Sequence, residues 1–178
     1  MKKIVVVGTS CSGKTTLAGN IAEILEIPHI ELDVLHWGQN WTIKADFEEK
    51  VAEAVQDPQW VVDGNYRKVR DIIWDKADTI IWLNYSFPVV FRRALKRTIS
   101  RISSHQELFG GNKESFRLAF FSTDSILWWV ITTHKKRRIE YSQLSENAEL
   151  SHLKIIQLNN QKEVDAFLSC LRAEQSRN

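Results

Sequence analysis

Residues 1–16 of this 178-residue chain, MKKIVVVGTSCSGKTT, leave few folds open. Ile4-Val5-Val6-Val7 is an unbroken β-branched run, and the residues from Leu17 onward have helical spacing. Between them, Gly8-Thr9-Ser10-Cys11-Ser12-Gly13-Lys14-Thr15 fits the phosphate-loop pattern G-x-x-x-x-G-K-[ST] in its strand–loop–helix context. The chemistry follows from the residue types. Gly8 and Gly13 let the backbone wind round phosphate oxygens, so that the amides of Ser10, Cys11, Ser12 and their neighbours through Thr16 point inward. The helix N-terminus adds partial positive charge. Lys14 is expected to reach the β- and γ-phosphates, and the Thr15 hydroxyl to ligate Mg²⁺.

The apolar positions Leu17, Ile21, Ile24 and Leu25 predict a first helix ended by Pro28, followed by a strand over residues 29–33. Asp33, at the carboxyl end of that strand, either contacts a phosphate acceptor in the ligand crevice or caps a loop. Trp37 and Trp41 either line an acceptor pocket or pack in the core, and His36 reads as a structural hydrogen-bonding group. Phe47, Val51 and Val55 mark a second helix. Trp60-Val61-Val62-Asp63-Gly64-Asn65-Tyr66-Arg67 then reads as a strand ending in a metal-binding aspartate. Asp63 is the expected Mg²⁺ partner, Gly64 allows close approach by a ligand, and Asn65 and Arg67 stand where an acidic acceptor would lie.

Residues 79–85 have the continuous apolar pattern of a parallel strand covered on both faces. On the helix that follows, Arg93, Arg97 and Arg101 share a face, which is either a solvated basic surface or a phosphate clamp. Residues 103–115 are polar around Gly110-Gly111 and suggest a mobile lid. Residues 116–131 read as a buried helix running on into Lys135-Lys136-Arg137-Arg138. That basic run is either solvated surface at the helix C-terminus or a second set of phosphate contacts. A fifth strand over 153–158 and an amphipathic terminal helix complete what reads as one domain over residues 1–178.

Charge is unevenly spread. Residues 86–140 hold eleven Lys/Arg against four Asp/Glu, a local +7 in a chain whose net charge is +2. Such a segment can grip phosphates or face nucleic acid. Cys11 and Cys170 offer neither metal spacing nor a disulfide framework, and the short N-terminal apolar run reads as a strand, with no signal peptide expected. No run approaches a membrane span, and a cytoplasmic protein is expected.

GTSCSGKTTLA, IELDVLHW, WVVDGNY and the arginine helix together resemble the small adenylate-kinase-like P-loop kinases, nearest the DNA topology modulation (FlaR-like) proteins, over residues 2–167. The resemblance implies an α/β, three-layer P-loop fold: a five-stranded parallel sheet in the order 2-3-1-4-5, helices on both faces, and a small lid. It implies that Asp33 contacts the acceptor, that Asp63 and Gly64 lie near Mg²⁺, and that Arg93 and Arg97 lie near the base and the phosphates. Two departures stand out. The fourth strand ends Leu83-Asn84 where this group often has Leu-Asp, and the residues after Arg101 lack an arginine-rich lid.

The expected activity is ATP-dependent phosphoryl transfer to a small-molecule acceptor: a nucleoside, a nucleotide or a small hydroxylated acid. Lys14, Asp33 and Arg97 are its catalytic candidates, and Gly8, Ser10–Thr16 and Arg93 its nucleotide contacts. Asp33, Trp37, Gly64, Asn65 and Arg67 are the acceptor candidates, and Thr15 and Asp63 the Mg²⁺ ligands. The other reading is a nucleotide-dependent regulator of DNA or of a protein partner with slow ATP hydrolysis. The absence of a recognisable nucleic-acid-binding motif counts against that reading. A guanine-nucleotide switch is disfavoured because the chain has no Asp-x-x-Gly, and Asn112-Lys113-Glu114-Ser115 lacks the final aspartate of a guanine-reading motif.

Overall fold

The computed structural model describes residues 1–104, 111, 125–144 and 147–177. Five parallel strands form one sheet in the order β2-β3-β1-β4-β5. They are β1 (Lys3–Gly8), β2 (His29–Glu31), β3 (Trp60–Asp63), β4 (Thr79–Leu83) and β5 (Lys154–Leu158). The helices are α1 (Lys14–Leu25), α2 (Leu32–His36), α3 (Phe47–Ala54), α4 (Arg70–Trp74), α5 (Phe87–Ser104), α6 (Ile126–Ser142) and α7 (Gln161–Gln175).

The period-2 geometry of β1 builds both cores at once. Ile4 and Val6 face a cluster with Leu17 and Ile21 of α1, Val90 of α5 and Leu168 of α7. Val5 and Val7 face the opposite cluster, with Phe47 and Val51 of α3, Ile73 of α4 and the fully buried Trp60. All four β1 side chains are at most 2% exposed, as a central strand covered on both faces requires. The helix α6 joins the two faces. Leu127 and Val130 near its start belong to the first cluster, and Tyr141 near its end to the second. Between them, buried His134 bonds through Nε2 to the carbonyl of Tyr85, just beyond β4.

Several boundaries differ from expectation. α1 stops because Glu26 adopts a left-handed conformation (φ 55°) and donates its N–H to Ala22, before Pro28 is reached. β2 ends at Glu31 because its partner β3 ends at Asp63, directly opposite. With no further strand to pair, the chain turns into α2, so Asp33 sits in a first helical turn and not on a strand. The apolar stretch is not a buried helix over its described part, since Trp128 and Trp129 are each 50% exposed. The helix continues to Ser142, which places Lys135 to Arg138 inside it and not at its C-terminus. Most of the lid expected at 103–115 lies outside the described residues; Ser103 and Ser104 close α5. No helix among the described residues is long and apolar enough to cross a membrane.

Candidate functional site

In this topology the connection from β1 leaves toward β2 and that from β3 leaves toward β4, so the crevice opens at the carboxyl ends of β1 and β3. The phosphate loop fills one side of it. Gly8 (φ 149°), Cys11 (φ 64°) and Gly13 (φ 100°) turn the backbone back on itself, and Ser12 donates its N–H to Thr9 at 3.1 Å. At Gly8 a side chain is excluded on two counts. Its φ is unsuited to L-residues, and a Cβ would lie 2.8 Å from the Leu83 carbonyl oxygen. The loop's polar groups are incompletely used: the buried Ser12 hydroxyl has no hydrogen-bond partner. Ser10 and Cys11 are half-buried, while Thr15 and Thr16 stand exposed at the start of α1.

Lys14 donates to the Thr9 carbonyl at 3.3 Å. Burial pulls its ammonium below the usual lysine range, against the opposing pull of the Asp63 and Asp33 carboxylates, and Arg97 lowers it further. One lysine therefore feels both aspartates and the arginine that the sequence analysis assigned to separate halves of a site. Arg97 keeps a buried Nε without a hydrogen-bond partner. Arg93, one helical turn earlier, donates to the Ser12 carbonyl at 2.8 Å and to Gln161 at 3.0 Å, with its guanidinium 4.3 Å from the Tyr85 ring centroid. Beside it, a cavity of about 280 Å³ is lined by Gly13, Thr16, Asn20, Tyr85, Arg93 and Gln161. Asn84, in place of the carboxylate, donates to Asn159 at 3.1 Å.

Across the crevice, Asp63 is 3% exposed and lies 3.1 Å from His29 Nε2. Gly64 (φ 140°) leaves no room for a Cβ, which would meet Leu32 at 2.8 Å. Asp33 accepts a 2.6 Å hydrogen bond from the Tyr66 hydroxyl. The Asn65 carboxamide is committed within the protein: Nδ2 donates to the Gly8 carbonyl at 2.5 Å, and Oδ1 accepts from Tyr141 at 2.9 Å. It bridges β1 and β3 where an acceptor contact had been expected. Arg67 has a side chain 78% exposed, with Glu140 at 3.7 Å.

Glu140 gathers a cluster. Arg70 donates to it at 2.6 Å, and Arg137 lies 3.3 Å away while also donating to the Asn65 carbonyl at 3.2 Å. Burial pushes the Glu140 carboxyl up, but the Arg70 hydrogen bond and the charges of Arg70, Arg137 and Arg67 hold it below its ordinary value. Arg137 is thus neither solvated surface nor a free phosphate contact. Trp37 and Trp41 meet edge to face at 5.6 Å, with Trp41 40% exposed. His36 makes no hydrogen bond at Nδ1 and serves instead as a packing ring against Trp37, Phe47 and Tyr66; burial lowers its pKa.

Sequence reasoning assigned no role to His29, Tyr66, Glu140, Tyr141 or Gln161. Only Tyr66 carried a signal, as the last residue of the WVVDGNY segment. Among the described residues no three His, Cys, Asp or Glu side chains gather into a ready-made metal centre. The two oxygen donors Thr15 and Asp63 suit Mg²⁺ arriving with a phosphate ligand.

No family model and no curated protein matches this sequence. Solved structures do match. A shikimate kinase from Acinetobacter baumannii in complex with shikimate aligns at TM-score 0.59 and 15% identity, over 100% of this chain and 95% of that one. A gluconokinase from Sinorhizobium meliloti 1021 aligns at 0.53 and 21% identity, over 98% and 95%. A shikimate kinase from Bacteroides thetaiotaomicron aligns at 0.51 and 18% identity, over 97% of each chain. At such identities the likeness is one of architecture, and the chain has the α/β fold of the P-loop small-molecule kinases, its parallel sheet ordered 2-3-1-4-5.

Proposed function

We propose that this protein transfers the γ-phosphoryl group of Mg-ATP to a small-molecule acceptor. The observation that carries this reading is the phosphate loop at the open end of the crevice, with Lys14 donating to the Thr9 carbonyl at 3.3 Å and Arg93 to the Ser12 carbonyl at 2.8 Å. The bound nucleotide would supply the phosphoryl group, and its metal ion a charge to offset the one that develops during transfer. The loop residues Gly8 to Thr16 would hold the phosphates through backbone N–H groups, with Lys14 on the β- and γ-oxygens. Thr15 and Asp63 would hold the metal, Asp63 kept in place by His29. The cavity beside Arg93 and Gln161 suits the base.

Arg97 would face the transferring group, since its buried, unpartnered Nε is ready to donate to an oxyanion. Asp33 would orient the acceptor. For an alcohol, it takes the hydroxyl proton as the new O–P bond forms and the bond to the β–γ bridging oxygen breaks, releasing ADP. The names of the fold neighbours, gluconokinase and shikimate kinase, put small hydroxylated acids first among acceptors. Trp37, Gly64 and the exposed Arg67 would border that molecule, with Asn65 bracing the crevice rather than touching it.

The test is coupled measurement of ADP release from Mg-ATP with D-gluconate, shikimate, adenosine and AMP offered singly. ADP formation that needs one of these acceptors and disappears in Lys14→Met is the expected result. Equal turnover with and without every acceptor would overturn the reading, as would tighter binding of GTP than ATP for its choice of base.

A further inference from the structure

Asp33 is gripped on one side by a single short hydrogen bond: the Tyr66 hydroxyl donates to Asp33 Oδ1 at 2.6 Å. An ionised carboxylate only accepts, so the phenolic proton is turned toward it. At 2.6 Å this is the short, charge-assisted class of O–H···O⁻ bond.

The phenol cannot easily swing away. Its ring lies 4.3 Å from His36 and 5.3 Å from Phe47, centroid to centroid. Nor does it ionise under ordinary conditions, because burial and the adjacent Asp33 charge both raise its pKa. The group it holds needs holding. The terminal torsion of an aspartate is broad, so an unrestrained carboxylate samples many orientations.

We propose that Tyr66 is the positioning residue of the acceptor half: it binds one Asp33 oxygen so that the other is presented to the acceptor. The inference rests on the reading of Asp33 as the acceptor-facing carboxylate. It explains why a phenol packed against His36 and Phe47 is turned onto this one aspartate.

The test is steady-state kinetics of the full chain with Mg-ATP and the four acceptors D-gluconate, shikimate, adenosine and AMP, for Tyr66→Phe, Asp33→Asn and the double variant. Tyr66→Phe keeps the ring and removes the hydroxyl. It is expected to lower kcat about tenfold to hundredfold at unchanged KM for ATP, the range for losing a group that orients a reacting one. Tyr66→Phe is expected to add nothing to Asp33→Asn, because it acts through that carboxylate.

A purely structural role would lower the melting temperature, leave kcat intact and give additive effects, and that result overturns the inference. If Tyr66→Phe fails to fold, Tyr66→His, which can still donate to the carboxylate, and Tyr66→Leu, which cannot, decide: equal kcat in the two overturns the inference, and higher kcat in Tyr66→His sustains it. Tyr66→Phe at full activity beside an inactive Asp33→Asn sinks the inference and spares the functional reading. Full activity in Asp33→Asn, or no phosphorylation of any of the four acceptors, sinks both.

Discussion

The two sides of the crevice are made differently. The phosphate loop is nine consecutive residues whose working parts are backbone N–H groups, a lysine and a hydroxyl. The facing side draws Asp33 from α2, Trp37 from the residue just beyond it, Tyr66 from the turn after β3, and Arg137 and Glu140 from α6, more than one hundred residues apart in sequence. Backbone groups are oriented by dihedral angles, which glycines at set intervals can dictate locally. Side chains from remote segments are oriented only by the whole fold. One side is therefore robust to changes elsewhere, and the other depends on tertiary contacts.

If that contrast is right, the largest effect on turnover and the largest effects on stability belong to different sides. Lys14→Met is expected to cut kcat by about 10²- to 10³-fold, the range for removing one preorganised charge-stabilising donor. It should leave the melting temperature unchanged or higher, because burial already disfavours the Lys14 ammonium in the native state. A large loss of stability in this variant would break the contrast. Gly64→Ala, by comparison, is expected to lower stability by about 2–4 kcal/mol in urea unfolding, since it combines a positive φ with a clash against Leu32.

Glu140→Gln comes next, at about 1–2 kcal/mol, because it leaves Arg70 and Arg137 beside a neutral amide. Its pH signature has a definite sign. A carboxyl held below its ordinary value of 4.5 in the native state contributes stability above about pH 4.5, and loses it as pH falls through the lower native value. Between those limits the wild type should lose stability more steeply than Glu140→Gln, as measured by thermal unfolding against pH. The smallest effect is expected for Lys68→Ala. Its ion pair with Glu48 joins side chains that are 70% and 48% exposed, and the melting experiment should show a change of about 0.5 kcal/mol or less.

The same contrast explains what could be read in advance. The loop, the Asp63 strand end and the sheet order were legible, the first two from spacing and the last from resemblance. The end of β2 was not, because it is set by the length of its partner β3, which local pattern does not record. The arginines of the basic segment read as either solvated surface or phosphate contacts, because sequence shows their sign and not their neighbours. In the fold, Arg93 lies on the phosphate loop and Arg137 on Glu140. Tyr66 lay inside a recognised segment, yet its role depends on Asp33, which arrives from an earlier helix.

The central place of β1 carries one more consequence, for the order of events in folding. β1 pairs with β3 at Trp60 and with β4 at Thr79, so neither neighbour is closer than about fifty residues along the chain. Gly8 is then anchored by Asn65 from beyond β3 and packed against Leu83 of β4. Closing such long segments is entropically slow compared with forming a helix. The anchored loop cannot precede those closures, so a nascent chain that ends before residue 83 carries the whole motif without its full set of native anchors. The nine residues easiest to recognise as text thus gain those anchors only once nearly half of the chain has been made.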